Sequence, residues 1–373
     1  MRIFTINSFS VAEAEAQLPL TDLRLPEQGY LWIACGRREF EVLQTQIQAA
    51  LQRLCDMQVV DLHVSDLLNN QLPSRYDYTS QYDILVFRRL STANAQSDEA
   101  PSELQKSYFP SRGGPPILRR IDTSPVGFAV FDRVLLSVHP TDCAVRDAYA
   151  AKLLSSASVE SHVGGARLPS SPADLMLRVV NQIVDGYLDL RRELTRQLDH
   201  WQSQLLAPRS RFTNWNALLH ARLSLHHLDE ICEDQRSAVQ DWIEAIKTWP
   251  QAETPQTQRE QDLLQVRSRD VLEHIERVVH HVRRLEQSAE TTVQMHFNAQ
   301  SHRANEIMRT LTVLTAIFMP LNLIAGIFGM NFEFSPLLHK TGGFWVTLVF
   351  MGLTALTLLV FFWRKRYLER SGR

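Results

Sequence analysis

Residues Thr310–Phe328, TLTVLTAIFMPLNLIAGIF, and Gly343–Trp363, GFWVTLVFMGLTALTLLVFFW, are two apolar runs without a single charge. Each is near the roughly 20 residues that a helix needs to cross the hydrocarbon of a bilayer. The sequence therefore predicts two transmembrane helices, 310–330 and 343–363, joined by an external loop, 331–342. Two spans cannot enclose a pathway alone, so anything passing through the membrane needs several copies arranged around an axis.

The charges beside the spans predict their orientation. Arg303 and Arg309 precede the first, and Arg364, Lys365, Arg366 and Arg370 follow the second in a basic tail, 364–373, whereas the loop between carries only Lys340 as a fixed positive charge. By the positive-inside rule both termini are expected in the cytoplasm. The start, MRIFTINSFSVAEAEAQLPL, lacks a continuous apolar stretch and a basic lead, so it reads as mature sequence and not as a signal peptide.

Composition places most of the chain in water. A hydrophobic fraction of 45% and a charged fraction of 21% over 373 residues are ordinary globular values, so the membrane part is a minority. A formal net charge of -2 argues against nucleic acid as a partner. Cys35, Cys55, Cys143 and Cys232 are far apart with no CxxC pair and read as buried thiols of a reducing compartment.

The soluble part divides by pattern. In 1–170, Tyr30–Cys35 reads as a buried strand, and Phe40, Leu43, Ile47, Leu51 and Leu54 recur at helical spacing. Asp83–Phe87 reads as a further strand, and Val126–Phe131 with Val134–Val138 as a hairpin turning at Asp132-Arg133. This is a cytoplasmic α/β domain. Residues 91–125, rich in Pro, Ser and Gly, read as a long surface excursion. From Ser171-Pro172 the pattern becomes helical: Leu177, Val180, Val184, Leu188, Leu190 and Leu194 mark one arm of a hairpin spanning 171–255, and Leu218–Ile246 marks the other after a break at Pro208.

From about Gln256 no proline or glycine interrupts the chain until Pro320. One helix of about 70 residues would be roughly 100 Å long, so its stalk, 256–309, projects into the cytoplasm. Leu264, Val271, Val278 and Leu285 recur every seven residues, with Ile275, Val282 and Ala289 on the same seam. That seam is expected to pack on the hairpin or on copies of itself. Nearer the membrane it gives way to a polar zone, Thr291 to Asn305.

Asn305-Glu306-Ile307-Met308, Leu311-Thr312, Met319-Pro320-Leu321, Ile324-Ala325-Gly326 and Gly329-Met330-Asn331, with a second span following, resemble the CorA family of divalent-cation channels. Weaker similarity extends through Arg269-Asp270-Val271 and Val126–Pro140. The resemblance implies an α+β membrane protein assembled as a homopentamer in lipid, with a cytoplasmic α/β domain, a long helical hairpin, a stalk helix and two C-terminal transmembrane helices. It implies an ion entrance at Gly329, Met330 and Asn331, a pore stripe at Asn305, Met308, Leu311, Thr315, Met319 and Asn322, and a cytoplasmic metal-sensing carboxylate at Asp270. Asn322 departs from the family's usual threonine, and Ser335-Pro336-Leu337-Leu338 departs from its Met-Pro-Glu-Leu.

The chemistry of such a passage follows from Mg²⁺, which gives up water reluctantly and suits neutral oxygens placed around its hydration shell. A ring of Asn331 amides at the mouth offers those oxygens, and the end of the first span at Gly329 adds helix carbonyls with partial negative charge. A plain helix cap and turn is the alternative for this tripeptide, and subunit packing for the apolar stripe. Enzyme motifs are absent: there is no phosphate-binding glycine loop, HExxH or GxSxG. His226 with Glu230 has ligand spacing but reads as a surface contact. The function expected is passive, potential-driven uptake of Mg²⁺, with Co²⁺ and Ni²⁺ as further cargo, gated by cytoplasmic Mg²⁺ at the inner (plasma) membrane, with no nucleotide. The alternatives are a zinc transporter of the ZntB type and a membrane-anchored metal sensor that conducts nothing.

Overall fold

The computed structural model describes residues 1–7, 9–14, 19–91, 121–158, 168–206, 215–250, 254–330 and 343–365. They form two units, Met1–Thr292 and Val293–Arg373.

The first unit is built on a seven-stranded sheet: β1 (Arg2–Ile6), β2 (Val11–Glu13), β3 (Tyr30–Gly36), β4 (Arg75–Tyr78), β5 (Asp83–Leu90), β6 (Thr123–Val130) and β7 (Val134–His139). Their order is β2-β1-β3-β7-β6-β5-β4. Only β3 and β7 pair in parallel, with Trp32 opposite Leu135 and Gly36 opposite His139. Side chains alternate across the pleat. Phe4, Trp32, Phe87 and Phe128 face one core, whereas Ile33, Ile84, Val134 and Leu136 face the other.

Helices cover both faces. α1 (Arg37–Cys55) and α2 (Asp61–Leu68) close one core, α1 starting where Glu39 accepts a hydrogen bond from the Gly36 amide at 2.8 Å and ending at Asp56 in the left-handed region. On the other face lie α3 (Ala144–Ser158), α4 (Pro172–Leu206) and α5 (Trp215–Lys247), followed by α6 (Pro255–Gly329), which continues into the second unit. α4 begins as the Ser171-Pro172 pair predicts. Proline occupies the first helical position, where its missing N–H costs no bond, and the Ser171 hydroxyl accepts from the Asp174 amide at 3.2 Å.

Leu264, Val271, Ile275, Val278, Val282, Leu285 and Ala289 are all buried, in one cluster with Leu194 and Leu198 of α4 and Leu225 and Leu228 of α5. The heptad seam is thus occupied within the chain, by the hairpin. The excursion expected over 91–125 is shorter at its far end, because Thr123–Pro125 pair with Leu90–Arg88. Pro125 is tolerated there since β7 pairs only with 127–130, so the missing N–H falls where β6 has no second neighbour. Residues 92–120 lie outside the described part.

In the second unit the end of α6 and α7 (Gly343–Arg364) are each apolar and long enough to cross a membrane. Among the described residues of this unit Val313 is the buried large apolar side chain, whereas Phe318, Leu323, Phe344, Trp345, Phe350 and Trp363 are exposed. The loop 331–342 and residues 366–373 of the tail lie outside the described part.

Candidate functional site

The stripe expected to line a passage lies on one side of α6. Asn305, Met308, Leu311, Thr315, Met319 and Asn322 are all exposed, Met308 and Met319 by 65% and 70%. The opposite side is covered: Val313 is buried, and Ala316, Ile317, Pro320, Leu321, Ile324 and Phe328 are partly so. α7 likewise has one partly covered side, at Thr347, Met351, Thr354, Ala355, Leu358 and Phe362. Each helix of this unit therefore has an inner face already in use, and the stripe is not part of it.

Polar groups on this stretch are arranged for an apolar medium. The hydroxyls of Thr310, Thr312 and Thr315 donate back to the carbonyls of Glu306, Met308 and Leu311 at 2.8, 2.8 and 2.9 Å, which leaves no hydroxyl proton unsatisfied. Pro320 lies inside the helix and has no N–H, so the carbonyl of Ala316 loses its usual donor. The helix ends at Gly329, with the Met330 amide reaching the Ile327 carbonyl at 3.4 Å. A side chain added at Gly326 or Gly329 would meet nothing within 4 Å among the described residues, so packing against them gives neither glycine a reason. Asn331, the third residue of the expected entrance, lies outside the described residues.

Asp270 is in the first unit on an exposed part of α6, with the His274 Nε2 at 3.8 Å. It lines a cleft with Arg267, Arg178 and Lys152. No group of three or more His, Cys, Asp or Glu side chains that could hold a metal occurs among the described residues, so Asp270 has no completed ligand set among them. His226 lies 3.7 Å from Glu230 and 3.6 Å from Glu286, all exposed or partly so, an ion-pair arrangement of helix surfaces.

Sequence reading missed the cations beside Asp270. Arg267 stands three residues before it and Arg178 stands three before Asn181, a spacing that puts each pair on one helix side. That repeated Arg-x-x-acceptor pattern was the available signal.

A sheet-and-helix unit whose last helix runs on into a pair of exposed apolar helices defines the two-span class of membrane proteins. Within that class, the family profile described as "CorA-like Mg2+ transporter protein" matches residues 40–366, and the chain belongs to that family. It is similar to the cobalt/magnesium transport protein CorA of Thermotoga maritima, 37% identical over 100 residues, 27% of this chain and 28% of that protein. It is also similar to the putative metal ion transporter YfjQ of Bacillus subtilis, 26% identical over 199 residues, 53% of this chain and 59% of that one. These matches thus span between a quarter and three-fifths of the relatives' lengths. The fold is shared with the CorA magnesium transporter of Methanocaldococcus jannaschii, with a TM-score of 0.70 at 16% identity over 100% of this chain and 98% of that one.

Proposed function

We propose that this chain is one subunit of a homopentameric channel that admits hydrated Mg²⁺ into the cytoplasm through the inner membrane. The observation that carries this reading is the stripe Asn305, Met308, Leu311, Thr315, Met319 and Asn322. It lies open along a membrane-length helix whose other face is covered. Brought together around an axis, five such stripes make a passage with amides at both ends and an apolar stretch between, where Met308, Leu311 and Met319 gate by excluding water. Gly329, Met330 and Asn331 form the entrance, and the unexplained glycines at 326 and 329 are spaces left for neighbouring copies or the ion.

The driving force is the membrane potential. At about 2.3 kcal/mol per charge per 100 mV, a divalent ion moving inward across 100 mV gains nearly 5 kcal/mol. The basic residues beside the spans favour cytoplasmic termini. Asp270 supplies the brake: carboxylates of adjacent subunits repel when bare and are bridged when Mg²⁺ is abundant, which favours the closed arrangement by the difference in affinity between the two states.

The reading is tested by reconstituting the protein in liposomes with an internal Mg²⁺ indicator and imposing an inside-negative potential. Expected are Mg²⁺ entry without nucleotide, entry of Co²⁺ and Ni²⁺, and a cross-linking ladder ending at five. An intact oligomer with no flux overturns conduction in favour of a sensor, and flux of Zn²⁺ without Mg²⁺ overturns the choice of ion.

A further inference from the structure

Helices α3, α4 and α6 of the first unit, with Leu168 and Pro169, enclose a cleft of about 270 Å³. α4 and α6 run parallel along it: Asp174 meets Arg267, Thr195 meets His281 and Gln202 meets Ser288, so residue numbers rise in the same direction on both. Arg178 and Asn181 line it from α4, Arg267 and Asp270 from α6, and Tyr149 and Lys152 from α3.

The charges do not balance within the lining. Three cations, Lys152, Arg178 and Arg267, face one lining carboxylate, Asp270. Asp174, buried behind the wall, pairs with both arginines and offsets one of them. Asn181 adds a second observation, because its Oδ1 is buried without a hydrogen-bond donor among the described residues. Such an acceptor is costly to leave unmet. The cleft thus offers donors and surplus positive charge beside one carboxylate, Asp270, with a buried acceptor that has no hydrogen-bond donor among the described residues, Asn181 Oδ1, in its wall.

We propose that this cleft binds a phosphate-class anion together with a hydrated Mg²⁺ held at Asp270, a proposal that rests on the reading of Asp270 as the regulatory carboxylate. Mg²⁺ is commonly held by one or two carboxylates plus phosphate oxygens while keeping several waters. One chain supplies a single carboxylate here, and the three cations repel a bare divalent ion. A phosphate reverses that. Its oxygens accept from the guanidinium groups and from Lys152, one of them meets the metal, and the waters on the metal donate to Asp270. The two ligands then raise each other's affinity by the same factor. In these terms the brake answers to magnesium in the company of phosphate, and less to the free ion.

The test uses the full-length oligomer in detergent, titrated calorimetrically with inorganic phosphate, phenyl phosphate and sulfate, each with and without Mg²⁺. Expected are phosphate binding strengthened on the order of tenfold by Mg²⁺, and the same gain for Mg²⁺ in the presence of phosphate. Lys152→Glu, an exposed position, weakens phosphate on the order of tenfold. Asp270→Asn removes the gain from Mg²⁺ and keeps phosphate binding in its absence. Binding of phenyl phosphate alone assigns the anion to a phosphomonoester, and binding of inorganic phosphate assigns it to the free ion. Equal affinity for sulfate and phosphate, or phosphate affinity unchanged in Lys152→Glu, overturns the proposal. Should phosphate behave as expected while Mg²⁺ closes the Asp270→Asn channel with the parent's dose dependence, the cleft stands and the sensor reading of Asp270 falls.

Discussion

The two units of this chain solve opposite solvation problems with similar residues. In the first, Trp32, Phe4, Phe87 and Phe128 are fully buried between strands and helices. In the second, Phe318, Phe344, Trp345 and Trp363 are more than half exposed on helices that each hold an 18-residue stretch of mean hydropathy above 2. In water the first arrangement is stable and the second is not; in hydrocarbon an exposed aromatic costs nothing and a bare amide costs several kcal/mol. The difference teaches where a substitution should register. A change in the first unit should appear as lost stability, and a change along the stripe of the second as altered flux.

The largest expected effect is at Asn331, where the alanine variant should abolish Mg²⁺ entry into liposomes while the cross-linking ladder remains that of the parent. A collapsed oligomer in that variant would break the comparison, because the residue would then be structural. Next comes Trp32→Ala in the sheet. Trp32 stacks on Phe4 at 4.8 Å and donates to Ser137 Oγ at 2.8 Å, so its removal should cost about 3–5 kcal/mol. Chemical denaturation measures that loss, and flux per folded channel should be unchanged.

A smaller effect is expected from acid. His139 is fully buried with Nε2 2.9 Å from Ser137 Oγ, and burial, with Arg146 and Arg89 nearby, pushes its pKa down to about 3, against the opposing pull of Asp147 and Asp142. The unfolded chain titrates near 6.5 and binds the proton first, so stability holds above that pH and falls as pH drops toward 3. The slope from this group is at most about 1.4 kcal/mol per pH unit. His139→Gln should flatten that part of the profile; an unaltered slope means that other groups set it. The smallest effect is at His226, exposed beside Glu230 and Glu286. His226→Ala should shift stability by less than about 1 kcal/mol and leave flux alone, and a loss of metal response there would sharpen the comparison by adding a site to the first unit.

Some of this architecture was legible from residues alone, for identifiable reasons. Uncharged runs of membrane length have few other readings, and the heptad of Leu264 to Leu285 has a period that no strand shares. β3, β5, β6 and β7 stood out because they are buried on both faces and so nearly continuous in apolar residues. β4 did not, because RYDY at the sheet's edge is partly exposed and alternates no apolar face. Nor did β1 and β2, short strands that are defined by their pairing with each other and with β3. The cleft was hidden for another reason. Arg178 carries no signal of its own, and Asp270 reads as a metal-sensing carboxylate without its cationic neighbours, until α4 and α6, 93 residues apart at the Asp174 to Arg267 contact, are laid side by side.

The parallel pairing of β3 with β7 has a consequence for how the chain is made. Trp32 and its partner Ser137 are 105 residues apart. At about 5–20 residues per second, a ribosome needs roughly 5–20 s to deliver the second after the first. During that interval β3 has its β1 edge closed and its other edge open, an invitation to the wrong neighbour. The apolar helices emerge only after β7, so the sheet has its last strand before any span reaches the membrane. Synthesis order thus separates in time the two kinds of exposed apolar surface that this chain must keep from meeting.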